Sequence, residues 1–202
     1  MPSLPSARFQ GLHALLILSA LMSGPAWAGA QVEEQLSASV QAVMQRSVSD
    51  HAVERPAFRS LEEGELWLAQ LMPRLQKRFP EAHQRREFLT TVHYEATRAG
   101  LDPQLVLGLI EVESGFRKYA VSSAGARGYM QVMPFWAKQI GTSEHNLFHL
   151  RTNLRYGCTI LRHYLDRENG DLFRALGRYN GSLGQAEYPN MVKAAWQHWI
   201  LR

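Results

Sequence analysis

The chain has 202 residues, 46% of them hydrophobic, with a single cysteine. That length suits one compact domain with a helical extension, the apolar content excludes wholesale disorder, and a lone thiol excludes an internal disulfide. A net charge of +4 favours an anionic partner without choosing one.

Residues 1–28 hold one charged side chain, Arg8, followed by an apolar run from Leu12 to Met22 broken only by His13 and Ser19. Ser23-Gly24-Pro25 and then Ala26-Trp27-Ala28 supply the small residues of a cleavage site. This layout predicts a secretory signal peptide over 1–28. The run is short for a bilayer span, so no integral membrane segment is expected after cleavage. Cys158 lies far from this segment, so no N-terminal lipid anchor is expected either. The expected destination is the periplasm of a Gram-negative source, which argues against nucleic acid as the anionic partner.

Residues 29–80 read as an N-terminal helical extension and linker. Val32, Leu36, Val40 and Val43 fall at helical spacing, 47–60 reads as a linker, and Leu61, Leu68, Leu71, Met72 and Leu75 give 61–78 an amphipathic pattern that Pro73 kinks or splits. Residues 81–202 form the expected main domain. A helix over 83–98 turns Phe88, Leu89, Val92 and Ala96 inward and ends at Gly100. Asp102-Pro103 starts the next, which runs to about Ser114, since Asp caps free N–H groups and Pro fits a first turn. Gly, Ser and Ala enrich an irregular loop over 115–128, and helices resume near Tyr129, near Asn153, after Asp171 and near Pro189.

Helical phase separates two neighbouring carboxylates. With residues about 100° apart, Leu105, Val106, Leu109, Ile110, Val112 and Phe116 share one arc, with Leu107 outside it. Glu113 sits inside that arc, and Glu111 points away from it, towards water. Burial raises a carboxyl pKa, and the negative end of the helix dipole pushes the same way. A protonated acid of that kind can donate to a glycosidic oxygen. From this helix alone, a structural Glu113 paired with Arg117 or Arg127 is an equal alternative.

Four ordered blocks decide between them. Glu113-Ser114-Gly115-Phe116 is followed by Ala120-x-Ser122-x-x-Gly125-Ala126-x-Gly128-x-Met130-Gln131-x-Met133-Pro134, then by Asn153-Leu154-x-x-Gly157 with Tyr164-Leu165, then by Ala175-Leu176-x-x-Tyr179-Asn180. In order and spacing over about residues 90–200 these resemble the soluble lytic transglycosylases, relatives of goose-type lysozyme. Two departures stand out. Tyr129 replaces a usual Leu, which would place a phenol near the cleft, and Gly181-Ser182 replace Ala-Gly.

The resemblance implies an all-α, lysozyme-like helical domain with an irregular loop after the catalytic helix. It implies peptidoglycan glycan strands as substrate, cut at the β-1,4 bond between N-acetylmuramic acid and N-acetylglucosamine with closure to a 1,6-anhydro product. Glu113 would act as acid, then base. No Asp or Glu occurs in 114–134, so no second motif carboxylate offers itself. That fits substrate-assisted chemistry, an exception to the two-carboxylate rule. By the family pattern Tyr179 would hydrogen-bond near Glu113 and fix its orientation. Ser114, Gln131 and Asn180 would contact sugars, Met130 would line the groove, and Gly128 would let the backbone approach the saccharide. No cofactor and no metal are implied. A hydrolytic muramidase with water as acceptor stays open, as does a non-catalytic peptidoglycan-binding component of an envelope machine whose partner is recruited by the N-terminal extension. His145 and His149 lack the Glu of a zinc-protease helix and read as solvated or capping. Cys158 and most of Trp67, Trp136, Trp196 and Trp199 read as core, and Arg85-Arg86 as a solvated helix face.

Overall fold

A computed structural model describes residues 31–49 and 58–201. The expected signal peptide, and most of the expected 47–60 linker, lie outside the described residues. Among the latter, the elements are α1 (Ala38–Val48), α2 (Leu61–Leu71), a short 3-10 turn (Pro73–Leu75), α3 (Ala82–Arg98), α4 (Pro103–Ser114), α5 (Pro134–Ile140), α6 (Leu150–Arg167), α7 (Leu172–Asn180) and α8 (Glu187–Trp199). The only β pairing described is a pair of isolated bridges, Val121 with Arg127 and Arg127 with Val132. The all-α expectation holds.

Local chemistry sets the boundaries. Pro73 ends α2 and leaves one tight turn in place of a longer helix. In α4, the Asp102 carboxylate accepts from the N–H groups of Gln104 at 2.7 Å and Leu105 at 3.4 Å, with Pro103 in the first turn. Gly115 closes the helix at φ 56°, a conformation that side chains resist. Two expectations shift. Residues 31–37 are not helical, and the helix expected over 29–46 begins only at Ala38. The Ser37 side chain accepts from the N–H of Val40 and starts α1 there. The helix expected near Tyr129 begins at Pro134 instead, because residues 127–132 are held in turns and a bridge.

α4 is the central element. It packs chiefly on α8 and also on α3, while α6 packs on α3, α7 and α1. Leu107, outside the expected apolar arc, is fully buried with the rest of the helix, because α8 covers that side too. Gly108 makes this approach possible: a Cβ there would lie 2.6 Å from the backbone nitrogen of Trp196. Phe88, Leu89, Val92 and Ala96 are all buried, as is Cys158, whose thiol burial pushes well above its ordinary pKa. Trp67, Trp136 and Trp199 are core residues, with Trp196 packed against the core.

The residues expected as an extension lie on the same body. α1 rests on α5 and α6, and α2 on α3. Buried Glu95 of α3 meets Arg155 at 3.2 Å, Arg98 at 3.4 Å and Arg151 at 3.5 Å. Arg98 also donates to the Ser47 carbonyl, and Arg155 to that of Ser49, which ties the end of α1 to this cluster.

Candidate active site

The last turn of α4 carries Glu113 into the interior, where it is 3% exposed. One carboxyl oxygen, Oε1, accepts a hydrogen bond from the Tyr188 hydroxyl. The other, Oε2, is buried and has no partner among the described residues. Burial pushes the Glu113 pKa up, against the opposing pull of the Tyr188 bond, to about 8. The acid is therefore protonated at neutral pH, with one oxygen held and one able to carry the mobile proton. Arg117 and Arg127 do not pair with it: Arg117 Nε donates to the Ser114 carbonyl at 2.8 Å, and the Arg127 guanidinium lies over the Phe148 ring.

Glu111 differs from its expected solvent-facing role. It is part-exposed and accepts from the Trp199 indole N–H at 2.7 Å. α8 thus engages both carboxylates of α4, but only Glu113 is buried.

The structure brings the other expected site residues close in chain path, though mostly in supporting contacts. Tyr179 donates to the Met130 carbonyl at 2.7 Å, so the hydroxyl that holds Glu113 belongs to Tyr188. Tyr179 is still within electrostatic reach. Burial first, and then the Glu113 charge, push its pKa well above the ordinary value. Ser114 Oγ donates to the Tyr129 carbonyl at 2.7 Å, which ties the last turn of α4 to the following loop and leaves no free proton for a sugar. Met130 is fully buried and lines no open groove; its N–H donates to Asn153 Oδ1 at 2.8 Å. Gly128 owes its lack of a side chain to the protein itself, since a Cβ there would lie 2.5 Å from Asn153 Nδ2. Gln131 turns its amide back on the Ala120 and Gly128 carbonyls at 3.1 and 2.9 Å, and its Oε1 is buried without a described partner. Asn180 donates to Ser182 Oγ at 3.0 Å, and its own Oδ1 is also buried without a described partner. Tyr129 is 5% exposed and packs against Phe88 and Phe79, so its phenol adds to the core where a cleft position was expected.

Two residues here escaped sequence reasoning, Tyr188 and Gln31, as did the role of a third, Asn153. Asn153 lies in a recognised block, and its amide clamps Met130, Arg127 and Leu147. Tyr188 lies in α8 outside every block, and Gln31 far upstream. Phe116 and Gln131 both hold positive φ, at 65° and 48°. Such strain costs on the order of 1–3 kcal/mol per residue, and here it frames the loop between Glu113 and α5.

No cluster of metal-ligating side chains occurs among the described residues. His145 Nδ1 pairs with the Tyr156 hydroxyl at 2.6 Å, and His149 stands just before α6 with no side-chain capping bond, its Nδ1 3.4 Å from Thr152 Oγ1. Arg85 donates to the Phe79 and Pro80 carbonyls, and Arg86 pairs with Glu65.

Residues 90–195 match the family model described as the transglycosylase SLT domain. The chain is 36% identical over 104 residues to a transglycosylase of Enterobacteria phage PRD1, a match spanning 52% of the chain and 38% of the phage protein. It is 53% identical over 49 residues to membrane-bound lytic murein transglycosylase C of Actinobacillus pleuropneumoniae, spanning 24% of the chain and 13% of that protein. Each match thus spans well under half of the relative's length. A crystal structure of an inactive mutant of lytic transglycosylase Slt from Pseudomonas aeruginosa aligns over 86% of the chain and 35% of its own, with 19% identity and a TM-score of 0.44.

Proposed function

The chain belongs to the transglycosylase SLT domain family, and from that premise we propose that it is a peptidoglycan lytic transglycosylase with Glu113 as its single acid and base. It cleaves the β-1,4 bond between N-acetylmuramic acid and N-acetylglucosamine. The observation that carries this reading is the placement of Glu113: buried, held on Oε1 by Tyr188, unpartnered on Oε2, with burial pushing its pKa up to about 8.

The reaction runs in two proton steps. Glu113 gives its proton to the leaving glycosidic oxygen as the C1–O bond breaks, and the sugar's 2-acetamido group stabilises the cation developing at C1. The resulting carboxylate, steadied by the Tyr188 hydroxyl, takes the proton of the same sugar's 6-hydroxyl. O6 then bonds to C1, and the acid is restored with no water consumed. Glu95, the other carboxylate among the buried residues, is engaged by three arginines and offers no second base.

Mass spectrometry of digested sacculi, wild type beside Glu113→Gln, tests the proposal. Wild type should yield anhydro-muropeptides and the variant none. Reducing ends without anhydro products would point to a muramidase using water, and unchanged release by the variant would remove Glu113 from the chemistry.

The same reading places the enzyme in the periplasm after cleavage behind Ala28. No helix among the described residues is long and apolar enough to cross a membrane. N-terminal sequencing of the exported chain should begin at Gly29.

A further inference from the structure

The start of the described chain packs onto the segment that joins the loop after Glu113 to α5. Gln31 is 4% exposed, yet no residue of 32–37 is buried and Val32 is 56% exposed. This arm buries an amide fully and, of its apolar side chains, only Leu36 in part. Gln31 Nε2 donates to the Gln131 carbonyl at 3.3 Å. Its Oε1 accepts from the Met133 N–H at 3.3 Å and the Trp136 indole N–H at 2.9 Å. Gln31 also lies near enough to the Tyr179 hydroxyl to pull its pKa down against burial, and the Glu113 charge acts on the same hydroxyl.

The seat therefore presents one carbonyl and two N–H donors, and it takes one donor and one acceptor carried by the same group. An amide meets that demand. A 2-acetamido sugar carries the same pair, a carbonyl oxygen and an N–H on one carbon. We infer that the seat formed by the Gln131 carbonyl, the Met133 N–H and the Trp136 indole binds a 2-acetamido group of the glycan, and that the Gln31 carboxamide fills it until substrate displaces the arm. This rests on the glycan-cleaving function proposed above.

The rest of the arm is held in a way that permits release. Glu34 pairs with Arg167 and, at 3.6 Å, with Arg178, while Glu33 accepts from Gln139 at 3.4 Å. These contacts lie at partly exposed groups, where ion pairs are weak and salt-screened. Of the arm's two apolar side chains, Val32 is left in water and Leu36 is only partly buried against the core.

Titration calorimetry with chitotetraose in a Glu113→Gln background, which blocks turnover, reads the seat directly. If the arm fills the seat about nine-tenths of the time, adding Gln31→Ala should tighten binding about tenfold. A de-N-acetylated chitosan tetramer should show no such gain. Glu34→Lys, which frees the arm while leaving the seat's own groups intact, should tighten chitotetraose binding in the same direction and keeps the test open if Gln31→Ala fails to fold. Weaker or unchanged chitotetraose binding in the folded variants, or an equal gain for the de-N-acetylated tetramer, overturns the inference and makes Gln31 a brace. A wild type that forms anhydro products without any gain in these variants sinks the seat alone. A wild type that leaves sacculi uncut sinks the function, and the titration still reads the seat.

Discussion

Glu113 receives a hydrogen bond on one oxygen and loses water from both. Burial disfavours its charge, the Tyr188 bond favours it, and burial wins, which leaves ionisation to about pH 8. The free-enzyme kcat/KM should therefore hold in neutral solution and fall as pH rises through about 8, because the protonated form begins the reaction. Stability follows the same sign. The folded pKa lies above the ordinary 4.5, so the folded chain keeps a proton that the unfolded chain releases. That contribution is complete below 4.5 and is lost as pH climbs through about 8. Glu113→Gln should thus cost about 10²–10⁴-fold in turnover while unfolding at a higher temperature than wild type in alkaline buffer. Calorimetry across pH checks this: a difference in Tm that does not widen as pH rises would remove the titration from Glu113. Tyr188→Phe deletes the contact that favours the carboxylate. Its alkaline limb should move to higher pH and its turnover fall about tenfold, the worth of one hydrogen bond to a charged group. An unmoved limb would show that Tyr188 does not govern the acid.

At the scale of elements, the acid and its partner stand on two helices, α4 and α8, whose backbones meet at Gly108. A Cβ there would lie 2.6 Å from the nitrogen and 2.8 Å from the Cα of Trp196, and neither backbone atom can swing aside. Gly108→Ala should cost about 1–3 kcal/mol by overpacking, or a drop in Tm of roughly 2–4 °C per kcal/mol. It should also shift the alkaline limb, since the Tyr188–Glu113 bond spans the same pair of helices. A thermal scan with wild-type Tm would refute the close packing. This contact also marks where sequence reading stops. The limits of α4 were legible because Asp102, Pro103 and Gly115 act on their own neighbours. The burial of Glu113 was legible because helical phase is local. Leu107 was not, because phase assumes one covered face and α8 covers a second. Tyr188 and Gln31 reach the site across 75 and 100 residues of chain, with no periodicity or block to announce them.

Over the whole molecule, the joint between the N-terminal residues and the rest runs through charge. Glu95 is fully buried and faces Arg98, Arg151 and Arg155, two of which also hold the carbonyls of Ser47 and Ser49 at the end of α1. One carboxylate thus holds α3, α6 and α1 together. A buried pair adds little over an apolar replacement of the same shape, because desolvation offsets attraction, but removing one partner strands the others. Glu95→Ala removes the buried carboxylate that Arg98, Arg151 and Arg155 share, and breaking a buried ion pair from one side costs about 3–5 kcal/mol. The Arg86–Glu65 pair offers the contrast. It is bidentate at 2.7 and 2.9 Å, yet its side chains are 49% and 61% exposed. Loss of Glu65 should therefore cost far less, because water and salt screen an exposed pair. Denaturant titration of Glu95→Ala beside Glu65→Ala measures both. Hydrogen exchange should show α1 amides losing protection first in Glu95→Ala, because the carbonyls at its end lose their ordered arginines. Equal costs for the two variants, or α1 protection unchanged in the first, would mean that α1 and the arm leading into it are held by apolar contacts with α5 and α6, and that the charge cluster contributes no more than a surface pair.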